Sequence, residues 1–395
     1  MLDKRATMAE VTARPSRSAP QAQAPAGLAR SALAPMEVAG RIARLRELLE
    51  GAGCDALLIS SHSNIRYLTG FTGSAGLLMV RADDAVIVTD GRYGEQAPAE
   101  LALSGAPART EALSGAEQVE LLGELVKGIG RLGLEGEHIS WARLRRWSEG
   151  WAKDVELVPT SDLVEGLRER KDAGEIARIA AAAAIADAAL LSVRPMLEEG
   201  PTEAEVALAL DTEMRRLGAA EPAFETIVAA GPNAAEPHHH PSPRKIGNGE
   251  LVVVDFGARV DGYCSDMTRT IRTGRGRDLV PELARVASVV LAAQDAGLCA
   301  VRDGVAAAEI DRACREVVDA AGFSELFVHG TGHGVGLDIH EAPALGERSD
   351  DILRSGQVVT VEPGVYVPGL GGARTEDTVL VTGAGCEILT LSPKV

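Results

Sequence analysis

Between residues 255 and 376 stand five side chains whose types suit a pair of divalent cations. They are Asp255 in VVVDFGA, Asp266 in YCSDMTRT, His333 in HGTGHGVG, Glu362 in VTVEPGVY and Glu376 in ARTEDTVLV. Carboxylate and imidazole donors of this kind take hard or borderline ions such as Mn²⁺, Co²⁺, Fe²⁺ or Zn²⁺. Two ions ~3.5–4 Å apart can hold a hydroxide between them and polarise a carbonyl, the chemistry of metal-assisted hydrolysis.

The elements that must position these groups are mostly strands. Residues 250–260 and 263–272 are β-rich runs, and Asp261-Gly262 between them is a hairpin turn signal. A loop from Arg259 to Gly262 would pair position 255 with 266. A loop of Asp261-Gly262 alone would set them one diagonal step apart. Either register puts both aspartates on one face of the sheet. Asp255 lies inside the apolar run LVVVDFG, where an unpaired carboxylate is costly. Downstream, His329, His333 and His340 lie among glycines at 330, 332, 334 and 336, which exclude a simple amphipathic helix. QVVTVEPGVYV reads as a strand carrying Glu362 and broken at Pro363-Gly364. GGARTEDTVLVT reads as one strand, with Arg374 and Glu376 on the same face. A cation beside a ligand carboxylate can bind a substrate's negative end.

In these contexts the five residues resemble the metallopeptidase family of methionine aminopeptidases, aminopeptidase P, prolidase and creatinase. The motifs are the Asp pair eleven positions apart, GHG around His333, EPG around Glu362 and R-x-E-D around Glu376, and the match spans residues 36–392. The resemblance implies an α+β pita-bread catalytic domain. It makes Asp255, Asp266, His333, Glu362 and Glu376 the metal ligands, usually for two Mn²⁺ or Co²⁺ ions, with Asp255 and Glu376 touching both. It also implies that His238 in PHHHP and His340 in DIHE act on the peptide at the scissile bond, and that Glu362 shuttles a proton. His329 and Arg374 would hold the proline side of the substrate. His239 and His240 are given no role and read as a solvated turn or an adventitious metal site. Thr375 stands where relatives tend to carry an aliphatic residue. The segment NIRYLTGFTGS resembles the N-terminal domain of the aminopeptidase P, prolidase and creatinase branch. The implied activity is therefore cleavage between an N-terminal residue and proline, by a homodimer. Asn64, Tyr67 and Phe71 could reach a partner's site, although turn and core roles suit them better. Competing readings are a creatinase-like hydrolase or a lyase on the same fold, and a catalytically silent peptide-binding module.

The rest of the chain fits this organisation. Residues 1–35, rich in Ala, Pro, Ser and Gln, read as a disordered tail. Residues 36–160 alternate helix and strand as a smaller α/β domain, residues 161–172 connect, and residues 173–395 form the catalytic domain. Thr202 and Glu205 form a capping box for a second helix. The net charge of −17 without a basic patch argues against nucleic acid. No run of 18 uncharged apolar residues argues for a membrane span. Five scattered cysteines, at 54, 264, 299, 314 and 386, suggest reduced thiols and a cytoplasmic setting. Cys264 reads as a small packed side chain.

Overall fold

A computed structural model describes residues 33–274 and 279–394. The expected disordered tail lies outside these residues except at its end. There Leu33 packs on the catalytic core, and the Ala34 carbonyl accepts a hydrogen bond from Arg178 at 2.9 Å. Residues 33–35 therefore belong to the fold rather than to a tail.

The N-terminal part opens with helix Arg41–Leu49, whose Ile42, Leu45 and Leu49 are buried. It covers a six-stranded mixed sheet ordered Arg109–Ala112, Ala85–Thr89, Leu77–Val80, Ala56–Ile59, Arg131–Glu135, Glu156–Thr160. The apolar runs around residues 54–90 supply three of its four inner strands, as their continuous hydrophobicity predicts. Asn64, Tyr67 and Phe71 are all buried inside this domain. One of the two cores beside the sheet takes in Tyr263, Leu337 and Val358 from the catalytic part, so the two parts pack as one body.

The catalytic part is built twice over from a helix pair backing a curved sheet. Helices Ala173–Val193 and Glu203–Arg216 share a core with strands Ile227–Ala230, Leu251–Phe256 and Met267–Arg272. Helices Pro281–Ala300 and Ala307–Ala320 share another with a sheet containing Gly332–Gly334, Val358–Val361 and Asp377–Thr382. The capping box at Thr202 and Glu205 is formed. Two helical stretches, Ala173–Glu199 and Pro281–Ala300, are long and apolar enough by composition to cross a membrane, although each carries charged residues. The Ala-rich face of the first and the Leu and Val face of the second are buried in the two catalytic cores.

The hairpin turn is the two-residue alternative. Arg259 pairs with Cys264 and Val260 with Tyr263, leaving Asp261 and Gly262 at the turn with φ of 46° and 81°. Both left-handed values fit a twist-compatible hairpin turn. Asp255 accordingly pairs with Thr268, and Asp266 sits one diagonal step away. The expected single strand over 371–382 is in fact two, Gly371–Arg374 and Asp377–Thr382. The break arises because the Glu376 amide donates to the Thr268 carbonyl, at 3.1 Å. The chain thus leaves one sheet for the other at Glu376.

Candidate metal centre

The five predicted donors converge where the two halves meet. Asp255 is near the end of one strand, Asp266 precedes its partner strand, and Glu376 sits at the crossover between sheets. His333 and Glu362 come from the other half. Ligand atoms of Asp266, His333 and Glu376 lie within 4.8 Å of one another. His333 Nε2 is 3.5 Å from Asp266 Oδ2 and 3.4 Å from Glu362 Oε1. Together with Phe224, Ile227, Ile339 and the histidines discussed below, Asp255, Asp266, Glu362 and Glu376 line a cavity of about 340 Å³.

The electrostatics call for a cation. His333 Nδ1 lies 2.9 Å from the Gly334 carbonyl, which can only accept, so Nδ1 carries the proton. Burial holds the ring neutral, with its pKa lowered to about 4. The Nε2 lone pair therefore points at carboxylate oxygens, an arrangement that repels unless something positive lies between. Asp255 Oδ1 and Glu376 Oε1 are buried and accept no hydrogen bond. Burial, then the neighbouring carboxylates Glu376, Asp255 and Glu362, push the Asp266 carboxyl well above its usual range. Burial and Asp255 raise Glu362 to about 7 against the opposing pull of Arg374. Unpaired acceptors, a correctly oriented imidazole and strained carboxylate ionisation together fit divalent metal.

The sequence matches the description Metallopeptidase family M24 over residues 177–383 and Creatinase/Prolidase N-terminal domain over residues 41–170. The chain belongs to metallopeptidase family M24. It is 34% identical over 351 residues to the Xaa-Pro dipeptidase of Pyrococcus furiosus, covering 89% of this chain and 97% of that protein. Among solved structures it is similar to an Xaa-Pro dipeptidase from Bacillus anthracis, with a TM-score of 0.86, 39% identity, and coverage of 90% of this chain and 98% of that one. An X-Pro aminopeptidase from Thermotoga maritima gives a TM-score of 0.81 and 35% identity, covering 89% and 99% respectively. The protein is thus an enzyme, a hydrolase, with the α+β pita-bread catalytic domain and the creatinase-type domain that its motifs imply.

The remaining predicted site residues of this M24 peptidase also reach the cavity. His238 and His340 are exposed on its walls. The His340 ring stands edge-on to His333 with centroids 4.5 Å apart. Arg374 is buried and fully engaged. It donates to Asp255 Oδ2 at 2.6 Å, the Tyr366 hydroxyl at 2.7 Å, Thr268 Oγ1 at 3.1 Å and the Pro237 carbonyl at 3.3 Å. His329 Nδ1 donates to the Gly330 carbonyl at 2.7 Å, which leaves Nε2 to accept from Tyr366 at 2.8 Å. Burial and Arg374 lower the His329 pKa to about 4, consistent with that neutral ring. His240 is solvated, as the sequence suggests, but His239 is not. Its side chain is 11% exposed and wedged between two carboxylates. Cys264 is packed with Ala223 and Val335 behind Phe224 and Ile339 and does not itself line the cavity.

Sequence reasoning missed the supporting residues. Tyr366 joins His329 to Arg374. Thr360 Oγ1 accepts from the His333 amide at 3.0 Å and donates to Glu362 Oε1 at 3.2 Å. Asp311 accepts from the Thr331 amide and hydroxyl at 3.1 and 2.8 Å and so anchors the histidine-bearing loop to helix Ala307–Ala320. Only Thr360 carried a usable signal, two residues before Glu362 on the strand that leads into it. The other two meet the site through tertiary contacts.

Proposed function

We propose that this M24 peptidase hydrolyses the peptide bond between an N-terminal residue and a following proline. The observation that carries the reading is the group of five donors with two buried, unpartnered carboxylate oxygens at the floor of a peptide-sized cavity. The proline specificity is supported by the names of the relatives on both sequence and structure.

Asp255, Asp266, His333, Glu362 and Glu376 would hold two divalent ions, with Mn²⁺ the first candidate and Co²⁺, Zn²⁺ or Fe²⁺ also suited to the donors. Such ions supply Lewis acidity toward the scissile carbonyl and acidify the attacking water. The chain's own groups do the rest. Glu362, beside the site of the attacking water, can take a proton from it and return it to the leaving imino nitrogen. His340 and His238 face the cavity with rings able to donate to the developing oxyanion and to the peptide. Arg374 and His329, locked together through Tyr366, form the rigid wall on the proline side. Two copies of the chain would form the working dimer. Its five free cysteines fit a reducing, cytoplasmic setting.

The test is hydrolysis by chelator-stripped protein reloaded with Mn²⁺ or Co²⁺, offered Ala-Pro, an Xaa-Pro-Yaa tripeptide and Ala-Ala. Cleavage of the dipeptide alone marks a dipeptidase, and cleavage of the tripeptide an aminopeptidase. Metal uptake with no cleavage of any of them would overturn the proline reading in favour of another hydrolase or a lyase.

A further inference from the structure

The run Pro237-His238-His239-His240 presents three imidazoles with three different environments. His238 lines the cavity and its ring makes no hydrogen bond among the described residues. His240 is exposed and pairs with Glu225 at the rim, 3.2 Å away. His239 turns inward. Its Nε2 lies 2.9 Å from Glu203 Oε2 and its Nδ1 2.9 Å from Glu236 Oε2. Each ring nitrogen thus has a carboxylate able to accept from it, and Asn233 Nδ2 lies 3.2 Å from the same Nε2. Although burial opposes the charge, Glu236 and Glu203 raise the His239 pKa above its ordinary value.

Glu203 is wholly buried at the start of helix Glu203–Arg216. The same carboxylate accepts from the Ala230 amide at 2.8 Å, from Asn233 Nδ2 at 3.0 Å, and from both the amide and hydroxyl of Ser242. One buried group thus ties together both ends of the 230–242 segment. On the other side of His238, the Pro237 carbonyl is held by Arg374. Between these two anchors the His238 ring, which lines the cavity, makes no hydrogen bond among the described residues.

We infer that His239, clamped by Glu203, is a positioning residue that fixes His238 over the cavity. The inference rests on the proposed role of His238 at the scissile bond. It predicts coupling, because a residue that acts only by placing His238 has nothing left to do once that imidazole is gone.

The experiment is a double-mutant cycle on the metal-loaded enzyme with an Xaa-Pro peptide. His239→Ala should lower kcat/KM on the order of ten- to a hundredfold, the scale of a misplaced reacting group, with metal content unchanged at a temperature where the variant remains folded. In a His238→Ala background the same change should add less than about twofold. His239→Gln, whose amide replaces the Nε2 donor to Glu203, should restore most activity, whereas His239→Asn, which reaches only toward Glu236, should not. Additive losses, or equal activity of the Gln and Asn variants, would overturn the inference. A wild type that cleaves no peptide would instead overturn the Xaa-Pro reading. In that event the His238 ring resonances of the apo-protein decide, since they must shift in His239→Ala if the clamp places the ring.

Discussion

Glu376 and Asp377 are consecutive, both almost wholly buried, and opposite in circumstance. Asp377 faces the back of the sheet and is saturated. Its Oδ1 accepts from Arg269 at 2.8 Å and Thr390 at 3.0 Å, and its Oδ2 from Gln294 and Lys394, each at 2.8 Å. Glu376 faces the cavity. Its Oε2 accepts from Thr268 at 2.8 Å, and its Oε1 has no partner. Burial and the nearby Glu362 and Asp255 hold its carboxyl well above the usual carboxylate range. A buried charge on its own therefore says little about function. A buried charge without protein counter-charge marks a place where the counter-charge is to be supplied from outside.

Breaking each side of this pair should have opposite consequences. Glu376→Gln should abolish metal retention and reduce kcat/KM by more than roughly a thousandfold, equivalent to several kcal/mol of transition-state stabilisation. The folded apo-protein should lose no stability, since an uncompensated carboxylate is removed. Metal analysis, peptide hydrolysis and Tm measured together check this, and a metal-replete, active Glu376→Gln enzyme would remove the site. Asp377→Asn should instead leave Arg269 and Lys394 without their shared negative charge, put an amide donor in place of one acceptor oxygen, and destabilise the fold by about 3–5 kcal/mol. At a temperature where that variant remains folded, it should still take up metal. Denaturant unfolding is the measurement, and an unchanged midpoint would show that the Asp377 network contributes nothing.

The contrast between these neighbours was half legible in the sequence. The R-x-E-D motif, the Asp-Gly turn and the apolar run around Asp255 located the donors, because strand alternation and turn chemistry are local. The two-residue loop could not be told from the longer one until Arg259 was seen paired with Cys264. The break at Glu376 was invisible, since nothing in GGARTEDTVLVT signals that the Glu376 amide pairs across to Thr268. The inward turn of His239 was equally hidden. It depends on Glu203, 36 residues away at the start of a helix.

The sign of pH dependence should separate the same two kinds of carboxylate. Glu362 has its folded pKa raised to about 7 from an ordinary value of 4.5, so its contribution to apo-protein stability is present below 4.5 and lost as pH rises through about 7. Glu341, beside His340, is the reverse. Burial opposes its charge, but Lys171 and Arg168 from the connector hold it down to about 2. Its contribution is present above 4.5 and lost only as pH falls toward about 2. Chelated protein should therefore lose Tm between pH 4.5 and 7, and added Mn²⁺ should cancel or invert that slope, because metal replaces the proton on the same oxygens. Glu341→Gln should leave this limb intact and change only the acid one. A Tm profile that is the same with and without metal would refute the assignment.

The smallest of these effects sharpens the comparison within the cavity itself. Tyr366 is the neutral bridge between two groups that the sequence assigned to the substrate, accepting from Arg374 and donating to His329. Strand pairing explains its place, since Tyr366 lies opposite Gly372 in the hairpin that ends with Arg374 opposite Gly364. Tyr366→Phe keeps the ring and its packing and removes only the hydroxyl. Arg374 retains Asp255, Thr268 and Pro237, so its charge stays compensated, while the buried His329 Nε2 loses its donor. The expected loss is about 1–2 kcal/mol, or roughly five- to thirtyfold in kcat/KM, because one hydrogen-bonded buried group is left unmet. Metal content should not change, because no predicted ligand touches the hydroxyl. A variant that loses metal along with activity would show that Tyr366 supports Asp255 through Arg374 rather than the proline-side wall, and steady-state kinetics paired with metal analysis distinguishes the two.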